Sequence, residues 1–137
     1  MFFKKNEDKQ ENENLVKITA LLVHAAKIDQ DYSNKEEEII KQTLLKLGAN
    51  KNDLEKIINT GKKIEENSNQ ILNFTKEVKN MTEENKIQII EALWQIIYSN
   101  DEADMYETSL MRRLGGLLYI DSKIMGDIKE KIKKKYS

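Results

Sequence analysis

Apolar residues three and four apart run through this chain from residue 15 to residue 132, and no proline interrupts them. That spacing lines one face of a 3.6-residue helix, whereas a half-buried strand alternates apolar with polar. A chain without proline also has no position at which ring sterics and a missing N–H must break a helix. The spacing predicts seven helices. The first carries Leu15, Ile18, Leu22, Ala25 and Ile28, and the second Ile40, Thr43, Leu44 and Leu47. The second stops at Gly48, a residue suited to a left-handed C-terminal cap. The third carries Leu54, Ile57, Ile58 and Gly61 behind a cap at Asn50 or Asn52, and the fourth, from about Ser68, carries Ile71, Phe74, Thr75 and Val78. The fifth opens on a Thr82 cap with Glu83 and Glu84 in its first turn, then Ile87, Ile90, Leu93, Trp94 and Ile97. The sixth carries Leu110, Met111, Leu114 and Leu118. The seventh starts at Asp121-Ser122-Lys123 and carries Ile124, Met125, Ile128 and Ile132. The fold class is all-α.

The pattern repeats at an offset of 71 residues without a gap. Ile18 maps onto Ile89, Leu22 onto Leu93, Ile39 onto Leu110, Leu47 onto Leu118, Leu54 onto Met125 and Ile57 onto Ile128. The expected organisation is a charged N-terminal tail, 1–13, and a single helical domain, 14–135. Within the domain, repeat one (15–66) and repeat two (82–135) are two three-helix units related by a pseudo-twofold duplication, joined by a connector helix (68–80). Neither unit can bury its apolar stripe alone, so the two are expected to pack face to face around one core.

The repeat carries an acidic loop with it. Asp29, Asp31, Ser33 and Glu36 stand at steps of two, two and three, and Asn100, Glu102, Asp104 and Glu107 follow the same steps. Oxygen side chains at alternate positions can converge on a hard cation such as calcium or magnesium, which takes six or more oxygens. Two carboxylates about 5 Å apart repel by roughly 1–3 kcal/mol, a cost that a cation or open water relieves. The competing reading is capping. Ser33 with Glu36, and Asp104 with Glu107, have capping-box spacing at the start of a helix. Caps leave Asp29, Asp31 and Glu102 unexplained, and an EF-hand is excluded because its glycine at position six and glutamate at position twelve are missing.

Composition removes several classes of function. The chain's 137 residues suit one domain, and 39% apolar with 34% charged residues describes a folded chain with a charged exterior. No cysteine means no disulfide, no thiolate nucleophile and no thiolate metal site. The single histidine, His24, rules out a histidine-rich metal site and reads as a packed or half-exposed residue on helix one. A net charge of −1 gives no general attraction to nucleic acid. No apolar run approaches the length needed to span a bilayer, and the N-terminus lacks the apolar region of a signal peptide, so the expectation is a cytoplasmic protein. Two phenylalanines before two lysines in residues 1–5 offer at most a weak peripheral membrane contact. Trp94 reads as core, and Arg112 and Arg113, which could pair with the loop acids or bind an anion, read first as surface salt-bridge residues. No glycine-rich phosphate loop and no nucleophile–base pair is present, and the acids fall on loops expected to be exposed, so no enzyme is expected.

The segments LLVHAAKIDQDYSNKEEEI and EALWQIIYSNDEADMYETSLMRRLGGLLYI resemble the TerB-like family, whose fold is shared by the N-terminal domain of the co-chaperone DjlA. The resemblance covers about residues 14–133 and is most specific from Leu93 to Tyr119, with Arg112, Arg113, Leu117 and Leu118 in the family's places. It implies a helical module associated with tellurite resistance and stress, with cation binding at the acidic loops. The family's Asp-Gly is replaced by Asp29-Gln30 in loop one and Asn100-Asp101 in loop two, and Asn100 removes one carboxylate. Thiols, the natural reductants and ligands for tellurite, are absent, which argues against redox detoxification. The expected function is a non-enzymatic module that acts by associating with a protein partner, tuned by a divalent cation at the two loops. The alternative is a metal-free, co-chaperone-like adaptor whose acidic loops only cap helices.

Overall fold

The computed structural model describes residues 2–27, 34–67, 72–98 and 105–135; for 2–12, 72–73, 77 and 105–108 the description is of the backbone. Seven α-helices follow in order: α1 (Phe2–Lys27), α2 (Asn34–Lys46), α3 (Leu54–Glu66), α4 (Leu72–Lys79), α5 (Glu83–Tyr98), α6 (Met105–Leu117) and α7 (Ser122–Lys135), with a 3-10 turn at Lys51–Asp53 ahead of α3. No strand occurs among the described residues, and the all-α expectation is met.

The centre is built from two helices that are apolar on more than one face, the signature of burial on several sides. In α1 these residues include Ile18, Leu21, Leu22, Val23 and Ala26; in α5 they include Ile89, Ile90, Leu93, Ile96 and Ile97, all 2% exposed or less. α1 lies against α2, α3, α4 and α5, while α5 also packs on α2 and α7, and α4 meets α6. Ile40 and Leu44 from α2, Phe74 from α4 and Met111 and Leu114 from α6 close the core. α1 begins at Phe2, well ahead of Leu15, where its apolar spacing starts. The charged stretch before Leu15 has no apolar stripe to announce a helix, yet it contains neither proline nor glycine to stop one.

The helix ends are closed by backbone geometry that the sequence partly predicts. After α2 the chain turns through Gly48 at φ 100°, with Gly48 N–H donating to the Leu45 carbonyl (3.1 Å) and Ala49 N–H to the Leu44 carbonyl (2.9 Å). This pair of bonds is the Schellman closure. It recurs 71 residues later, where Tyr119 holds φ 56°, its N–H donates to the Gly116 carbonyl (3.3 Å) and Ile120 N–H donates to the Gly115 carbonyl (3.0 Å). The restart recurs as well. Asn52 N–H donates to Asn50 Oδ1 (3.1 Å), and Lys123 N–H donates to Asp121 Oδ1 (2.8 Å). The two restarts then diverge, because α7 follows Asp121 directly whereas a 3-10 turn separates Asn50 from α3. Thr82 caps α5 as expected, its Oγ1 accepting from Asn85 N–H at 3.2 Å.

Candidate functional site

Of the eight loop positions, Asp29, Asp31, Ser33, Asn100, Glu102 and Asp104 lie outside the described residues. Glu107 falls in the first turn of α6, where the backbone alone is described. Glu36 is the one whose side chain is described, and it departs from the exposed-loop expectation: it is 0% exposed, in the first turn of α2. A carboxylate withdrawn from water is costly unless its charge is compensated. The N-terminal end of a helix supplies part of that compensation through its oriented amides. Its neighbour Glu37 points elsewhere, accepting a 2.8 Å bond from Lys62 Nζ on α3. Among the described residues no three acidic or histidine side chains group into a metal set.

A second cluster borders the described start of loop one. Lys27, the last residue of α1, donates from Nζ to Glu65 Oε2 at 2.7 Å, and His24 Nδ1 lies 3.3 Å from Glu65 Oε1. His24 and Lys27 are three apart, which places both on one face of α1, and Glu65 reaches them from the last turn of α3. Glu65 is 8% exposed. One carboxylate therefore fastens the end of α1 to the end of α3 beside the acidic loop. Sequence reasoning had His24 as packed or half-exposed, and its side chain is one-third exposed. It did not identify Glu65, which sits in a charged stretch, KKIEEN, that reads as a solvated helix end.

The far side of α5 carries the aromatic residues. Trp94 is 4% exposed, stacks on Tyr98 with ring centroids 5.8 Å apart, and has Lys129 Nζ 5.4 Å from its centroid. Burial first, and the Glu130 carboxylate second, push the Tyr98 hydroxyl above its ordinary pKa. Among the described residues neither Arg112 nor Arg113 enters an ion pair, and of the loop acids they could pair with, Asp29, Asp31, Glu102 and Asp104 lie outside the described residues. No described helix is long and apolar enough to cross a membrane.

A family model described as tellurite resistance protein TerB matches residues 15–130. No curated protein matches the chain, and no solved structure does.

Proposed function

The chain belongs to the TerB tellurite-resistance family, and from that premise we propose that it is a non-enzymatic cytoplasmic module acting by protein association, tuned by a divalent cation at its two acidic loops. The observation that carries this reading is the burial of Glu36. A helix cap alone can stay in water. A carboxylate held wholly inside, next to a loop that offers Asp29, Asp31 and Ser33, suits the inner edge of an oxygen site. The donor set contains only oxygens, which fits calcium or magnesium rather than a metal that prefers nitrogen or sulfur. Asp29, Asp31, Ser33 and Glu36 would hold an ion in loop one, with Asn100, Glu102, Asp104 and Glu107 as the counterpart set in loop two. A bound cation would neutralise the charge of these carboxylates.

The chain's own residues would carry that event outward. Glu36 belongs to α2, whose Glu37 is tied to α3 through Lys62. The end of α1 is tied to α3 through Glu65. A shift at loop one would thus reach the relative positions of α1, α2 and α3, and through them the packing of the bundle. The matching caps at Gly48 and Tyr119 and the matching restarts at Asn50 and Asp121 support reading the second loop as a copy of the first.

Thermal unfolding in EDTA, then in millimolar calcium, magnesium or manganese at constant ionic strength, tests the proposal. Binding at 100 times the dissociation constant adds about 2.7 kcal/mol, several degrees for a domain of this size. The expected result is a shift specific to one cation that Asp29→Asn combined with Glu36→Gln abolishes. No shift with any cation would leave the alternative, a metal-free DjlA-type adaptor whose loop acids cap helices.

A further inference from the structure

A pocket of about 400 Å³ opens at the surface between α5, α6 and α7. Trp94, Met111, Ile120 and Met125 give it apolar walls, and the charged residues among its lining, Arg112 and Lys129, are both cationic. Neither is in an ion pair among the described residues. Gly116 and Gly126 also line it, and a Cβ built on either would meet no atom within 4 Å. Gly115 differs, since its Cβ would press on the Met125 side chain at 3.3 Å, so helix packing accounts for it. Gly126 stands in the fifth position of a fourteen-residue helix, without a positive φ. Glycine there is less stable than alanine by roughly 0.5–1 kcal/mol, and what it preserves is open space in the pocket.

We propose that this pocket docks an acidic segment of a partner protein, with one bulky apolar side chain entering the recess beside Trp94 and flanking carboxylates paired with Arg112 and Lys129. The proposal deepens the association reading given above and rests on it. An open recess leaves one side of a free small molecule in water, whereas small-molecule sites bury most of their ligand. An anchor side chain borne by a larger partner needs only such a recess, and tryptophan and arginine are the residues that dominate such contacts. The two cations set the sign of the partner's flanks.

Trp94 is the single tryptophan of the chain, so its emission reports on the pocket without a label. The probe is a tryptophan-free peptide with one phenylalanine between two runs of three glutamates. The expected result is a saturable change in Trp94 emission, absent for the same peptide with lysines in place of the glutamates. Gly126→Leu, which fills the recess, and Arg112→Glu with Lys129→Glu should each weaken binding by about tenfold or more. Arg112→Glu alone, a surface change, serves if Gly126→Leu does not fold. No saturable response up to about 1 mM peptide, or equal responses from both peptides or from wild type and variants, would overturn the proposal. So would a response to dodecanoate in place of the peptide, which would make this a site for a small anionic amphiphile. The cation melts leave the pocket untouched and so fail or succeed separately. A partner captured equally by wild type and Arg112→Glu would preserve association as the function and remove this site.

Discussion

Gly61 of α3 lies so close to Thr19 of α1 that a Cβ there would sit 2.6 Å from the threonine Cγ2 and 3.0 Å from the Val16 carbonyl oxygen. Thr19 is itself fixed, 0% exposed with Oγ1 bonded to the Leu15 carbonyl at 2.8 Å. Glycine at this position lets the two helices touch backbone to side chain. Gly61→Ala should therefore cost about 1–3 kcal/mol, the usual range for overpacking, despite the better helix propensity of alanine. Adding Thr19→Ala removes the nearest contact, though the Cβ of residue 19 remains 2.7 Å away. Chemical denaturation should then show only partial recovery.

The two Schellman closures differ in the residue that takes the left-handed turn. Glycine adopts it without a steric penalty at position 48, while Tyr119 bears a side chain at φ 56°. The left-handed region costs a side-chain-bearing residue roughly 1–2 kcal/mol. Gly48→Ala should lower stability by about 1 kcal/mol. Tyr119→Gly should raise it by less than that, because it also gives up the contact of Lys79 Nζ with the Tyr119 ring at 4.8 Å, worth about 0.5–1 kcal/mol at an exposed site. Urea midpoints of the two single variants check the opposite signs.

Removing the two ends of the Lys27–Glu65 bond should have unequal effects. The Lys27 side chain is 42% exposed and can return to water, whereas that of Glu65 is 9% exposed. Lys27→Met leaves the carboxylate with His24 as its remaining partner among the described residues and should cost about 1–3 kcal/mol. Glu65→Gln leaves a lysine free to hydrate and should cost less. A double-mutant cycle with a coupling near zero would show that the contact does not tie the helices.

Tyr98 should be slow to ionise in alkaline titration followed at the phenolate absorbance band. Burial and then Glu130 hold its proton in the folded state. Its native pKa lies above the unfolded value, so its contribution to stability is full below about pH 10 and is lost as pH rises through the folded-state value. Tyr98→Phe should make unfolding less sensitive to pH in that alkaline range. Glu130→Gln should bring the titration partway back, since the carboxylate is the smaller of the two causes.

Apolar spacing was enough to place the helices, because burial of one face is what selects those positions: Ile18, Leu22, Ile89 and Leu93 are all 0% exposed. The beginning of α1 was not legible, since its charged residues carry no such spacing. The clamp at Glu65 joins residues 38 and 41 positions apart, and contacts at that distance depend on how helices cross rather than on local pattern. Glu36 was legible as a loop acid but not as a buried one. Trp94 was read as core, which its burial supports, yet the open space beside it depends on glycines from two other helices. The equivalence of Gly48 and Tyr119 was hidden because residues of opposite type perform the same turn.

The position of α1 at the centre has a consequence for how the chain is made. A ribosome synthesises this helix before the other six, yet α5, against which α1 packs, is not complete until Tyr98, and α7, which packs on α5, ends at Lys135. Residues that will be deeply enclosed therefore wait for the last of their partners. During synthesis Ile18, Leu21 and Leu22 present an apolar surface that α2, α3 and α4 cover only in part, which favours closure of the core once α5 has emerged rather than helix by helix.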